Sequence, residues 1–407
     1  MKVLLLVYAC EPNAGSEPGT GWNTALHLAK SHQVTVVTRS NNQGRIESAL
    51  RELTGPVPEF VYYDLPPVLV SLKKKLLGIH LYYALWQLGL SRVLASLVDS
   101  KGFDIVHHLT FNSFEVPPFA LRGIRARKVW GPVGGGQTAP SALLHSLSWK
   151  SRIKEKLRSL RVVLSTWNPL VRSLFRDADA VLFANQETRS RFQNLCRRDA
   201  GLMIDVGVDA DVFQPVDRTG REQANLLFAG RLESRKGARL LLFSFKEALR
   251  DIPGMRLTVV GSGPEKIELE NLEVELGLTG KIDWVGKVSH GKMRDSLAAA
   301  DLFVFPSLRD TSGTIVLEAM ACGLPVICFD HQGGRIMIGD EAGLKVDANS
   351  SLKEAIAQWA TAITSLLKNR RSGELFGQHG TKRVRNHFTW EKKVKRIEAL
   401  YRSLDSE

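Results

Sequence analysis

Cysteine is scarce in this 407-residue chain, which has only Cys10, Cys196, Cys322 and Cys328. No two stand at a CxxC or other metal-ligand spacing. Four scattered thiols cannot frame a chain of this size with disulfides, so they read as buried thiols of a reducing compartment. No stretch of about 18 uninterrupted apolar residues occurs, which excludes a membrane-spanning helix. The apolar run Val3–Val7 ends at Tyr8-Ala9-Cys10-Glu11. It falls short of the roughly 7–15 residues of a secretory h-region, and a first buried strand is expected in place of a leader. A GxGxxG fingerprint is missing too, and Thr38 and Arg39 stand where a second strand would end in an acid, so a dehydrogenase is excluded. The basic half has no helix–turn–helix, zinc or RNP-type pattern, so no nucleic acid partner is expected. No repeat or low-complexity tract is present.

What the chain does have is a globular composition, 44% hydrophobic and 24% charged, over a length suited to two domains of roughly 200 residues each. The formal charge is +13, and +10 of it lies in residues 1–210. A basic first half points to an anionic partner for that half. Short apolar runs bounded by turn residues alternate with helical segments. Val3–Val7, Val34–Thr38, Asp104–His107, Lys128–Trp130 and Ala180–Phe183 read as buried parallel strands, with a helix over Thr24–Lys30. Near residue 210 the rhythm restarts. Strands are expected at Asn225–Ala229, Arg256–Val260, 281–285, Leu302–Phe305 and Pro325–Phe329, separated by helices at Gly237–Leu249, 265–276, 291–300 and 313–322. Right-handed crossovers place such strands side by side in one parallel sheet. The linker Val206–Pro215 sets a first domain over 1–209 and a second over 210–389.

Ligands of open α/β sheets bind beyond the carboxyl ends of the strands, so the loops there are the candidates. After Pro306 come Asp310, then Gly313-Thr314, then a helix carrying Glu318. Its N-terminus presents free N–H groups and partial positive charge, which suits a diphosphate. Asp310 is placed to bind sugar hydroxyls and Glu318 to accept two hydrogen bonds from a ribose. Read singly, Asp310 is equally an N-cap and Glu318 a helix-surface acid. The second candidate is Phe228-Ala-Gly230-Arg231-Leu-Glu-Ser-Arg-Lys236-Gly237, two cations in a strand-to-helix loop. Cations there lower the barrier to breaking a sugar–phosphate bond without a metal. Arg235 and Arg239 read as surface. Gly261-Ser-Gly263-Pro264 is a third such loop, weak by itself, and Trp284-Val285-Gly286 follows the next strand, where Trp284 reads as core packing in preference to the base seat that resemblance to a known family implies. In the first half, the glycines of Gly15-Ser-Glu-Pro-Gly19-Thr-Gly21 allow close backbone approach. Asp104-Ile-Val-His107-His108 ends a strand, where alternation points the two histidines opposite ways. Gly131-Pro-Val-Gly134-Gly135-Gly136 either lines a ligand or is a structural turn.

The Asp310–Glu318 segment, acid-x7-acid, resembles the signature of the family-4 retaining glycosyltransferases. The family has Glu at the first acid and an aromatic before the glycine, where this chain has Asp310 and Ser312. The resemblance is specific over 226–330 and looser over 1–210. It implies an α/β fold of GT-B type, two Rossmann-like domains facing across a cleft. A C-terminal helix, about 390–407 and capped by Thr389, crosses back to the first domain. It implies that Arg231 and Lys236 hold the donor diphosphate and count, with Asp310 and a histidine, as catalytic. His108 is preferred as the histidine near the reacting carbon, with His107 as the other choice. Gly15, Gly19, Gly230, Gly261, Gly263, Gly313, Thr314 and Glu318 complete the donor site, and His107, Gly134 and Gly135 lie on the acceptor side.

The activity implied is retaining transfer from a nucleotide diphosphate-sugar to a glycan or lipid-linked acceptor, in cell-surface polysaccharide assembly. The diphosphate itself would take up the acceptor proton. Asp177-Ala-Asp179 precedes a strand and Asp209-Ala-Asp211 lies in the linker; neither sits on a phosphate loop, and no metal or other cofactor is expected. Leu69–Leu94, with Lys73-Lys74-Lys75, and residues 149–176 read either as basic amphipathic helices for an anionic membrane face or as ordinary domain helices. The expected location is cytoplasmic, peripheral on the inner membrane face where those helices engage lipid. Two rival readings are a catalytically weak sugar-nucleotide-binding scaffold, favoured by Asp310 and Ser312, and a GT-B epimerase or phosphorylase-like enzyme.

Overall fold

The computed structural model describes residues 1–72, 78–111, 113–198, 201–218, 220–221 and 223–405. The Lys73-Lys74-Lys75 run lies outside them. The chain forms two compact units. The first comprises Met1–Gly136, Arg161–Val206 and Trp390–Glu407; the second comprises Gln137–Leu160 and Gly207–Thr389.

The first unit holds a seven-stranded sheet of β1 (Lys2–Leu6), β2 (Gln33–Thr38), β3 (Glu59–Tyr62), β4 (Ile105–His108), β5 (Arg127–Val133), β6 (Ala180–Phe183) and β7 (Gly201–Leu202). Its order is β3-β2-β1-β4-β5-β6-β7. Every pairing in it is parallel. The uninterrupted apolar run of β1 follows from burial on both faces. Val3, Leu5 and Val7 pack with Ala25 and Leu28 of the helix Ser16–Ala29 and with Val394, Ile397 and Tyr401 of the C-terminal helix Trp390–Asp405. Leu4, Leu6 and Tyr8 pack on the other face against Tyr82, Tyr83, Trp86 and Leu90 of the helix Gly78–Lys101. The helix after β1 begins at Ser16, well before the expected Thr24. A Cβ at Gly19 would lie 1.9 Å from the Ala14 carbonyl oxygen, and one at Gly21 would lie 2.4 Å from that of Ala9. The glycines thus belong to the helix and let its first turns lie against the loop.

The second unit holds β8 (Asn225–Ala229), β9 (Arg256–Val260), β10 (Ile282–Gly286), β11 (Leu302–Phe305), β12 (Val326–Phe329) and β13 (Gly343–Val346). All pair in parallel in the order β10-β9-β8-β11-β12-β13. The chain is therefore the expected α/β protein with two Rossmann-like sheets. Strand order in the second sheet reverses between β8 and β11, and such a switch point opens a crevice for ligand. Residues 137–160 join this unit because Leu143, Leu144 and Leu147 are buried in its core cluster with Leu240, Leu241 and Trp359.

Candidate functional site

The loops after β8, β9 and β10 are laced together by their backbones. Gly230 N donates to Val260 O at 2.9 Å, Leu232 N to Ser262 O at 3.1 Å and Gly261 N to Gly286 O at 2.8 Å. Gly261 has φ +140°, and a Cβ on it would fall 1.9 Å from the Gly230 carbonyl oxygen; at Gly263 the clash would be 2.2 Å from Leu232 O. Only glycine permits this approach. The loops enclose a cavity of about 710 Å³ lined by Gly230, Arg231, Gly261, Gly263, Lys287 and Met293, within the usual range for small-molecule sites. The Arg231 side chain is 68% exposed, its guanidinium 2.6 Å from Glu233. A second cavity, of about 750 Å³, is lined by Ala224, Asp301 and Pro325. These residues precede β8, β11 and β12, at the end of the sheet opposite to where such folds bind ligands.

At the switch point the loops after β8 and β11 meet. Gly237 has φ +72°, and a Cβ there would stand 1.9 Å from Pro306 O. This proximity carries Lys236 to Asp310, with which it forms an ion pair. Arg235, expected on the surface, turns inward, with Nη1 3.6 Å from Asp310 Oδ1. Arg239 pairs with Glu268 at 2.8 Å on the surface. Asp310 N donates to Gln332 Oε1 at 2.8 Å, and Gln332 Nε2 donates to Thr138 O at 3.0 Å. Gln332 has φ +52°, a strained conformation for a non-glycine residue. Gln137 Nε2 donates to Thr311 Oγ1 at 2.8 Å, and Arg309 grips Glu155 through two 2.8 Å bonds. Asp310 is thus fixed from three directions and is not an N-cap; Gly313 occupies that position and contributes no side-chain bond to the helix Thr314–Ala321.

Glu318 is buried rather than on the helix surface, its side chain 5% exposed and Oε1 2.8 Å from His290 Nε2. The carboxylate draws the His290 pKa upward. His290 opens the helix after β10, and nothing in its sequence surroundings marks it; the same holds for Gln332 and Lys287. Trp284 donates from Nε1 to Glu273 Oε2 at 2.7 Å and packs on the core.

In the first unit the two histidines of β4 face opposite ways. His107 Nε2 lies 2.8 Å from Gly131 O and Nδ1 2.6 Å from Tyr401 Oη. Burial pushes its pKa down to about 4, so the neutral ring donates from Nε2 and accepts from the tyrosine. His108 Nε2 lies 2.6 Å from Tyr83 Oη, which accepts from Gln87 Nε2 at 2.9 Å. Burial takes the His108 pKa down to about 3. Gln87 Nε2 also stands 3.4 Å from His108 Nε2, so both side chains crowd the same ring nitrogen. Gly15 precedes the helix Ser16–Ala29, whose Glu17 accepts from Phe111 N. Gly134 bridges to Ser113, and Gly135 has φ +92°.

Of the two DxD triplets, Asp177 pairs with Lys128 Nζ at 2.8 Å and Asp179 accepts from Lys128 N at 2.8 Å. Asp209 accepts from Asp211 N at 2.9 Å. Among the described residues no group of three His, Cys, Asp or Glu is arranged to hold a metal, and no helix is long and apolar enough to cross a membrane.

Residues 213–383 match the family described as "Glycosyl transferases group 1". Over 330 residues the chain is 27% identical to a GDP-mannose-dependent alpha-(1-6)-phosphatidylinositol monomannoside mannosyltransferase of Mycolicibacterium smegmatis, covering 74% of this chain and 84% of that one. It is 32% identical over 218 residues to a D-inositol 3-phosphate glycosyltransferase of Geodermatophilus obscurus, covering 49% of this chain and 46% of the relative. Among solved structures, the sucrose-phosphate synthase of Thermosynechococcus elongatus superposes with a TM-score of 0.71 at 19% identity, over 100% of this chain and 99% of its own. Anabaena HepE in complex with UDP superposes with a TM-score of 0.65 at 15% identity, over 99% and 100%. These two likenesses establish the shared fold.

Proposed function

We propose that this chain, whose residues 213–383 match the group 1 glycosyl transferases, is a member of that family and moves a sugar from a nucleotide diphosphate-sugar to a glycan or lipid-linked acceptor, with retention of configuration. The observation that carries the proposal is the convergence at the second sheet's switch point. There Lys236 and Asp310 are paired, and the same loop after β8 that carries Lys236 supplies Arg231 to the glycine-walled cavity. A departing nucleoside diphosphate gains negative charge, and cations held by short loops stabilise it without reorganising. We assign that work to Arg231 and Lys236 rather than to a resident metal. Asp310 is assigned to the sugar hydroxyls and Glu318, with His290 behind it, to the ribose. His108, at the carboxyl end of β4, is our candidate in the first unit. Burial keeps its ring neutral, so it is not a titrating base.

Transfer on one face of the sugar breaks the bond from the anomeric carbon to phosphate and forms one to the acceptor oxygen. The acceptor proton passes to the leaving diphosphate, so no protein base is consumed. The relatives' names support an anionic acceptor, a phosphatidylinositol mannoside in one and an inositol 3-phosphate in the other. The +10 charge of residues 1–210 fits such an acceptor. We place the reaction in cell-surface glycan assembly, at the inner face of a membrane.

One relative is named for GDP-mannose and one neighbour was solved with UDP, so the test is a melting screen against UDP, GDP, ADP and their sugars, with and without Mg²⁺. A bound nucleotide at about 100 times its Kd adds roughly 2.7 kcal/mol of stability. One nucleotide stabilising the protein without metal supports the site. No response to any of them at millimolar concentration refutes the donor assignment.

A further inference from the structure

The helix Trp149–Ser165 is inside out for a helix of a globular domain, which turns its apolar stripe inward. Successive residues advance by about 100° around a helix axis. Trp149, Ile153, Leu157 and Leu160 therefore share one side, and they are 67%, 48%, 62% and 56% exposed. The last turn keeps the pattern with Leu164, also exposed. The opposite side is the buried one, occupied by Glu155 and Val162. Lys150 and Lys154 flank the apolar stripe on one edge, Arg152 and Lys156 on the other. The only acid of the helix, Glu155, is turned inward and held by Arg309. The outward face thus combines bulky apolar side chains with positive charge alone.

We propose that this face is a docking surface for an anionic lipid bilayer, with the helix lying in the interfacial plane. An apolar stripe bordered on both edges by lysine and arginine suits that position, since the stripe enters the acyl boundary while the long cationic side chains reach the headgroups. Charge argues against a second copy of this chain as the occupant. A two-fold interface would set the same stripe against itself and bring the lysines of one copy against those of the other with no acid between. The inference deepens the proposal of a lipid-linked acceptor, which such a surface would bring within reach. Its test reads binding and not transfer, so that either can fail alone.

The experiment is flotation of the full chain with vesicles of phosphatidylcholine, alone or with phosphatidylglycerol added. The protein is expected to float with the anionic vesicles, at least tenfold better than with the neutral ones, and to be released near 1 M salt, where the Debye length falls to about 3 Å. A cation near an anionic surface contributes roughly a fivefold factor, so Lys150→Ala/Lys154→Ala/Lys156→Ala should weaken binding on the order of 100-fold. Ile153→Glu/Leu157→Glu should abolish it. Both variants alter exposed side chains and should melt and bind nucleotide as the parent does; should the glutamate pair fail to fold, the lysine series decides alone. The proposal is overturned by a parent protein that ignores anionic vesicles or prefers neutral ones. It is equally overturned by folded variants that float unchanged, or by a stripe that the glutamates show to be a self-association or protein-binding surface in a chain that does not bind vesicles.

Discussion

Lys393 offers a sharp test of how the C-terminal helix is seated. The side chain lies in the helix Trp390–Asp405 and is 3% exposed. Its Nζ donates to the Asp205 carbonyl and stands 5.2 Å over the Trp390 ring. Burial outweighs the pull of the Asp205 carboxylate and lowers the Lys393 pKa from 10.5 to about 7. His107, which feels this charge, is itself held neutral by burial. The unfolded chain keeps the proton up to about pH 10.5 while the folded chain releases it near 7. The gap of roughly 3.5 units, at about 1.36 kcal/mol each, means that the charged lysine opposes folding by up to about 5 kcal/mol below pH 7. As pH rises above 7 the unfolded state holds one more proton than the folded state. Stability should therefore climb by about 1.4 kcal/mol per pH unit until the lysine also titrates in the unfolded chain. Lys393→Met removes the effect. It should stabilise the protein most near pH 6–7, by the penalty less about 1 kcal/mol for the lost hydrogen bond, and hardly at all near pH 10. The assay is urea denaturation of parent and variant in steps from about pH 6 to 9.5. Taking the difference between the two cancels the cysteines, whose raised pKa values act with the opposite sign at alkaline pH. A pH-independent difference, or a variant less stable throughout, would refute the reasoning.

Three further outcomes are expected. Arg231→Ala and Lys236→Ala should each slow transfer at least about tenfold in a chain that still folds; near-normal turnover in both would remove the diphosphate assignment. Gly261→Ala places a methyl 1.9 Å from the Gly230 oxygen at φ +140°. It should lower stability by about 2–4 kcal/mol and cost nucleotide binding in a titration, and a tolerated alanine would show that the loops need not touch. Transfer should persist in EDTA; an activity that EDTA abolishes and Mg²⁺ restores would mean that a metal shares the charge-neutralising role assigned to Arg231 and Lys236.

Much of the second unit is legible in the amino-acid sequence. β8, β9 and β11 fall on the residues that apolar runs and turn signals pick out, because a strand buried on both faces must be apolar along its length. The glycines at 230, 261 and 263 are visible for a related reason, since close backbone approach leaves a compositional mark. The short strands β3, β7 and β13 carry weaker runs that do not stand out from their surroundings. Glycines mislead at 19 and 21, where they permit a helix to pack and do not form a loop.

The sequence by itself therefore determined the α/β class, the two-sheet plan and the positions of the loops that follow the strands, because burial and backbone sterics act on neighbouring residues and leave local patterns. Only the tertiary structure decided which loops meet. The pairing of Lys236 with Asp310, the His290 behind Glu318, the Gln332 bond to the Asp310 amide and the attachment of residues 137–160 to the second unit all join groups distant along the chain. Such contacts are set by sheet order and by how closely two loops can approach, and no local pattern records either.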